Sequence, residues 1–325
     1  MPYLKHYINR FYLPPLEQCY YLDERHNSLV NLSPEQYQKV QRLCRKIAED
    51  THTKFVYRGD NRVNDIYNAS TNSGEFARRF FMIGEKGNEF LGDEFDKHNT
   101  IDGESLFLKL HNFTTQPSKR KAICKRIQRF YKHHKQFFKF FRNLANTEIF
   151  NKAFSTSSKW SIKDYYEMFL HTIEMNGEDN KSSKMLSTTL NYKTAYYFKQ
   201  EGGVLIVGWV PESGLIIFGN MNKKEETIHR LGLPTYKRGV FPEQQEVCLK
   251  YGFPPHNILG YFYGDACQYF VINHNLLCNQ KNDIHFDKIH KRGIYINQTN
   301  FLEYLGLTKY KRGYRLVANE YTYLH

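Results

Sequence analysis

The sequence predicts an α+β protein, a mixed sheet with peripheral helices and a basic helical insertion, and three observations lead there. An amphipathic helix followed by a short strand opens the chain, and a basic, aromatic-rich helical stretch fills its middle. Beyond about residue 184, short apolar runs alternate with turns and one helical segment. With 325 residues, 41% hydrophobic and 16% aromatic content, the chain can bury a substantial core, which excludes a disordered protein and suggests two units or one enlarged unit.

Each element follows from local chemistry. Ser33-Pro34-Glu35-Gln36 provides an N-cap, a proline at the first helical position and a capping-box glutamine. Tyr37, Val40, Leu43, Cys44, Ile47 and Ala48 then recur at helical spacing. After a turn at Asp50–Thr53, Lys54 to Arg58 reads as a strand stopped by Gly59-Asp60, which places Arg58 at the strand's end. From Asn61 to about Ser118 the pattern supports loops and short helices. Gly84, Gly87 and Gly92 form no phosphate-cradling motif.

Lys119 to Asn146 is predicted as one long helix, with Ile123, Ile127, Phe130, Tyr131, Phe137, Phe138 and Phe141 mostly on one stripe and basic residues on the other. A second helix is expected from Ser161 to Met175, after the loop Ser155–Ser158. Then come a helix from Asn191 to Phe198 and a turn at Gly202-Gly203. Strands are expected at Val204–Val210, Leu215–Phe218, Glu246–Tyr251, Ile258–Tyr263 and Tyr269–Ile272. The tail from Asn273 is polar and Asn-rich.

The net charge of +13 is concentrated. Between Glu104 and Glu148 no acidic residue occurs, whereas Lys109, Lys119, Arg120, Lys121, Lys125, Arg126, Arg129, Lys132, Lys135, Lys139 and Arg142 are all basic. Such a stretch can track nucleic-acid phosphates, dock an acidic partner or a membrane surface, or stand as a solvated helix face. A solvated face or a dock for an acidic partner is favoured over nucleic acid because no base-reading motif accompanies it. The six cysteines form no C-x-x-C pair and no zinc-type spacing, so reduced core thiols and a cytosolic working place are expected, with no metal. Residues 1–14 lack an apolar core long enough for a secretion signal or membrane insertion.

Three short stretches bear chemistry. Arg58, before Gly59, offers a planar fork suited to phosphate, although a strand-terminal arginine is commonly a surface ion pair. Ser187-Thr188-Thr189 supplies hydroxyls and is expected to open the following helix, where capping is its bland role. Gln244-Gln245-Glu246 begins an apolar run, and a period of two puts Gln244 and Glu246 on one face. An isolated edge-strand glutamate would ordinarily be a solvated carboxylate. Next to a sugar that develops positive charge, it would stabilise that charge electrostatically.

In this order the three stretches resemble the arginine, serine and glutamate signature of mono-ADP-ribosyltransferases, the toxin-like class that transfers ADP-ribose from NAD. The likeness covers Phe55–Gly59 and Lys184 to about Phe262. It implies a split β-sandwich with NAD in the cleft between sheets. Arg58, Gly59, Ser187, Thr188, Thr189 and Glu246 would hold NAD, and Glu246 would be catalytic with Gln244, Ser187 and Arg58. The stretch Val240–Glu246 resembles the class's target-recognition loop, in which Phe241 would contact the acceptor and Gln244 would orient it. Arginine-directed members usually carry Glu where Gln244 stands, while Q-x-E members include enzymes acting on asparagine or guanine. A bulge bringing Glu243 to the site would keep arginine open as an acceptor.

Because 129 residues separate Arg58 from Ser187, the resemblance requires an insertion. The expected division is a discontinuous core at 1–60 and 181–272, a mainly helical insertion at 61–180 with its basic helix at 119–146, and an extension at 273–325. Ser155-Thr156-Ser157 lies nearer Arg58, but a long helix follows it in place of a glycine turn and strand. The class implies a bacterial effector, secreted without a cleaved signal and acting on a host protein in the host cytoplasm. The alternatives are the same chemistry on a nucleic acid or nucleotide, and a non-enzymatic basic binding module.

Overall fold

The computed structural model describes residues 9–51, 53–60, 72–83, 102–115, 125–173, 185–211, 216–217, 221–236, 244–250, 253, 257–278, 314–317 and 320–323. In chain order the first elements are β1 (Cys19–Asp23), β2 (Ser28–Asn31), α1 (Pro34–Glu49), β3 (Thr53–Asp60), α2 (Ser73–Ile83) and α3 (Gly103–Thr115). The helices α4 (Lys125–His133), α5 (Lys135–Arg142), α6 (Thr147–Phe154) and α7 (Lys159–Ile173) follow. Then come β4 (Met185–Thr189), α8 (Tyr192–Lys199), β5 (Val204–Pro211), β6 (Ile216–Ile217), α9 (Met221–Arg230) and β7 (Glu246–Lys250). The last are β8 (Ile258–Tyr263), β9 (Tyr269–Ile272), α10 (Asn275–Cys278), β10 (Tyr314–Val317) and β11 (Glu320–Tyr323). A mixed sheet with helices is as expected, and no described helix is long and apolar enough to cross a membrane.

Residues 1–96, 186–215 and 244–325 form one unit, and 97–185 with 216–243 form another. The helical unit therefore starts later than the expected insertion at 61–180 and also takes 216–243, a stretch that falls within the expected core. The reason is visible in α2, whose Phe76, Phe80 and Phe81 pack on Tyr261 of β8 with ring centroids 5.2, 5.4 and 5.5 Å away. Residues just beyond 272 likewise belong to the first unit. Leu276 sits in its core, and Asn273 Nδ2 donates to the Ile258 carbonyl at 3.0 Å.

The first unit's strands run β2-β1-β9-β8-β5-β3-β4-β7. The spine is the antiparallel β3–β5 ladder, from Thr53↔Pro211 to Asp60↔Val204. Val204 to Val210 is buried throughout, which explains its unbroken apolar sequence. β9 pairs antiparallel with β8 and parallel with β1. β3 and β4, by contrast, meet at a single pair among the described residues, Tyr57↔Thr189.

Helix α1 covers one face of this sheet. Its predicted capping box is present: Gln36 N donates to Ser33 Oγ at 3.3 Å and Ser33 N donates to Gln36 Oε1 at 2.8 Å, a device worth about 1 kcal/mol. Val40, Cys44 and Ile47 then enter the core beside Phe55, Tyr57, Val207 and Trp209. Cys19, Cys44, Cys248 and Cys267 are buried, unbridged thiols, and burial pushes Cys19 and Cys44 up to about 12.

In the second unit the predicted helix 119–146 is broken. Residues 116–124 lie outside the described residues, and the remainder divides at His134 into α4 and α5. Aromatic rings from both pieces converge on Phe169 of α7, with Phe130 at 6.3, Phe137 at 4.4 and Phe138 at 6.1 Å, so the stripe that the spacing predicts persists across the turn. Phe107, Phe141, Phe150 and Tyr166 complete this aromatic core. Tyr165 Oη locks a loop to it, donating to the Tyr236 carbonyl at 3.0 Å and accepting from Tyr236 N at 2.7 Å.

Candidate functional site

Arg58 does not end its strand. β3 continues through Gly59 and Asp60, because Gly59 lies against the backbone of α8, where a side chain would not fit, and pairs in register with Leu205. A Cβ at Gly59 would fall 1.9 Å from the Ala195 carbonyl oxygen and 2.4 Å from Lys199 N. The glycine is thus a packing requirement of the strand and not a stop. Along the strand's two-residue period Asp60 shares a face with Arg58, and its Oδ2 accepts from Arg58 Nη2 at 2.9 Å.

Ser187-Thr188-Thr189 does not open a helix either. The three residues end strand β4, and the cap of α8 is Asn191, whose Oδ1 accepts from Lys193 N at 3.0 Å. The two threonines bind β4 to the segment around β7. Thr188 Oγ1 donates to the Val247 carbonyl at 2.7 Å, and Thr189 Oγ1 donates to the Gln244 carbonyl and accepts from Asn191 N at 2.9 Å. Leu190 N adds a 3.1 Å bond to the Gln245 carbonyl. Both threonines are buried, so their hydroxyl protons are committed to the scaffold.

The same arrangement positions Ser187. Its main-chain carbonyl accepts from Arg58 Nη1 at 2.9 Å, and its side-chain Oγ donates to Glu246 Oε1 at 2.5 Å. Arg58, Ser187 and Glu246, separated by 129 and 59 residues, are therefore linked in one chain of hydrogen bonds. All three are half-buried. A charge-assisted bond of this length fixes the carboxylate's orientation as well as adding energy.

Glu246 has a second partner that the sequence did not flag. Cys248 Sγ donates to Glu246 Oε1 at 3.3 Å, and burial together with the nearby carboxylate pushes the Cys248 thiol up, so it remains a neutral donor. Cys248 and Asp60 each lie two residues from a predicted site residue on the same strand. That period-of-two position is the signal that would have found them.

The expectation for Gln244 needs correction. Gln245 has φ 47°, in the left-handed region, and β7 starts at Glu246, so the two-residue alternation does not extend back to Gln244. The side-chain pairing on one strand face does not follow, and what β4 uses of Gln244 is its main-chain carbonyl. Phe241 and Glu243 lie outside the described residues. The rival Ser155-Thr156-Ser157 forms the turn after α6, with Ser155 Oγ donating to Asn151 O at 2.9 Å and Thr156 Oγ1 to Ala153 O at 2.7 Å. An open cleft of about 700 Å³, lined by Tyr20, Ser28, Tyr263 and Tyr269 among others, lies at the other end of the sheet and contains none of the three linked residues.

Comparison of the chain with protein-family models, with curated proteins and with solved structures finds no match.

Proposed function

We propose that the chain is a mono-ADP-ribosyltransferase of the arginine-serine-glutamate class, transferring ADP-ribose from NAD to a protein side chain and releasing nicotinamide. The observation that carries this reading is the bonded succession from Arg58 through Ser187 to Glu246, three residues distant in sequence and singled out by their chemistry. The finer architecture belongs to the same reading: the sheet is the split β-sandwich of that class, divided between β3 and β4, which meet at one pair among the described residues. Action as a bacterial effector on a host protein rests on the resemblance of the motifs.

The donor set fits NAD. A guanidinium, a hydroxyl and a carboxylate stand in sequence at a half-buried surface, which suits a ligand with a pyrophosphate at one end and a ribose diol further along. NAD supplies the ADP-ribosyl group and a good leaving group. Glu246 holds negative charge beside the reacting sugar, where low local dielectric magnifies its effect. Ser187 and Cys248 orient that carboxylate. Arg58, bound to the Ser187 carbonyl and to Asp60, holds the serine in place and presents positive charge at the same surface. Thr188, Thr189 and Gly59 act one step back, keeping β4, β7 and α8 in register around the three.

The test is release of nicotinamide from labelled NAD by the parent and by Glu246→Gln, which keeps the side chain's shape and removes its charge. Loss of about a hundredfold or more in rate, with circular dichroism and NAD affinity retained, is expected. A variant that releases nicotinamide at the parent rate ends the proposal. Labelling a eukaryotic lysate with nuclease- and protease-treated controls then separates a protein acceptor from a nucleic acid.

A further inference from the structure

Helices α4 and α5 divide their side chains sharply. Phe130, Phe137, Phe138 and Phe141 are buried, while Arg129 and Lys132 on α4 and Lys135, Lys139 and Arg142 on α5 are exposed. Lys135, Lys139 and Arg142 are spaced i, i+4 and i+7 and so form one stripe. No Asp or Glu occurs anywhere between Glu104 and Glu148 to counter it locally.

The stripe leads directly into an exposed apolar knuckle. Leu144, in the 3-10 turn Leu144–Asn146, is 54% exposed, and Ile149, in the first turn of α6, is 50% exposed. The turn's own polar groups fix it. Asn143 Oδ1 accepts from Ala145 N at 3.1 Å, Asn146 Nδ2 donates to the Phe140 carbonyl at 2.8 Å, and Thr147 Oγ1 donates to the Leu144 carbonyl at 2.7 Å. Leu144 is thus held out in water by a rigid turn. Glu148 falls in the same first turn, where the helix dipole accommodates its charge.

We infer that this face of the second unit docks on an anionic membrane surface. The basic stripe meets lipid headgroups, and Leu144 and Ile149 enter the headgroup boundary. Basic residues beside protruding aliphatics supply the two contributions that interfacial binding adds together, electrostatic attraction and apolar burial. A single-stranded nucleic acid is a poorer fit, because Phe130, Phe137, Phe138 and Phe141 are buried in the core of the unit and no Phe or Tyr ring of α4 or α5 is fully exposed for bases to stack on. The inference does not depend on the transferase reading, and its test involves no catalysis.

The full chain is sedimented with vesicles of phosphatidylcholine alone and of phosphatidylcholine mixed with phosphatidylserine. Binding to the anionic vesicles that weakens with salt is expected, falling about fivefold for each of Lys132, Lys135 and Lys139 changed to Gln. Leu144→Ser combined with Ile149→Ser is expected to lower binding about tenfold, with little dependence on salt. These positions are exposed, and circular dichroism verifies that the variants stay folded. Equal binding to neutral vesicles, parent affinity in the double serine variant, or tighter binding of a single-stranded RNA than of the anionic vesicles would each overturn the inference.

Discussion

Gly59→Ala tests the packing that carries Arg58. The added methyl carbon would lie 1.9 Å from the Ala195 carbonyl oxygen, 2.4 Å from Lys199 N and 2.9 Å from the Phe198 carbonyl carbon. All three are helix backbone, so no rotamer change relieves the overlap. To restore even a tight 3.0 Å contact, α8 must withdraw from β3 by about 1 Å over its whole buried length. That forfeits a large part of the dispersion contact along the interface and strains the β3–β5 ladder. Overpacking of this kind costs about 3 kcal/mol, near the upper end of its usual range. For a unit of this size such a loss corresponds to a melting temperature lower by about 6–12 °C. Differential scanning calorimetry provides the measurement, with Gly202→Ala as the control. Gly202 has φ +72° and nothing within 4 Å of an added Cβ, so its substitution meets backbone strain without a clash, at about 1–2 kcal/mol. If Gly59→Ala melts within a degree of the parent, β3 and α8 are not packed backbone to backbone and the placement of Arg58 loses its basis.

Two further outcomes follow from the same geometry. Thr188→Val keeps the shape of a buried side chain but leaves the Val247 carbonyl without its 2.7 Å donor, which should cost about 1–3 kcal/mol in urea unfolding; a neutral result would separate β4 from β7. His274 is buried, 3.0 Å from Glu24 Oε1 and against the Phe81 ring, with Nδ1 lacking a hydrogen-bond partner among the described residues. Burial lowers its proton affinity more than Glu24 raises it, so the folded state binds this proton less readily than the unfolded chain. Stability should therefore be full above the unfolded value of about 6.5 and fall as pH drops below it, by at most about 1.4 kcal/mol per pH unit from this proton. Unfolding of the parent and of His274→Gln between pH 7.5 and 5.5 checks this; parallel losses in both would refute it.

What could be read from the sequence was what local chemistry determines. The capping box at Ser33–Gln36 satisfies its own donors within one turn, so no distant residue can change the outcome. The apolar run Val204–Val210 likewise announces a central strand. Misreadings arose where a distant partner decides. Gly59-Asp60 looks like a turn until α8 supplies a backbone that only glycine can approach. Ser187-Thr188-Thr189 looks like a helix cap until the carbonyls of Gln244 and Val247 claim the two threonine hydroxyls. The turn at His134 leaves no sign in the sequence, because the aromatic stripe keeps its helical spacing across it and neither Gly nor Pro marks the place. β1 and β2 carry no comparable signal, because their burial patterns do not alternate cleanly. For the candidate site, the residues Arg58, Ser187 and Glu246 were legible from chemistry and order, whereas their supports Asp60 and Cys248 became visible only with contacts in hand.

Among the described residues β3 and β4 pair only at Tyr57↔Thr189, and the bond from Arg58 Nη1 to the Ser187 carbonyl is a second tie across the same boundary. Ser187 and Glu246 lie together on the far side of it, fastened by Thr188, Thr189 and Leu190. The guanidinium thus serves the sheet as well as the candidate site: removing it takes away a side-chain clamp between two strands along with a positive charge.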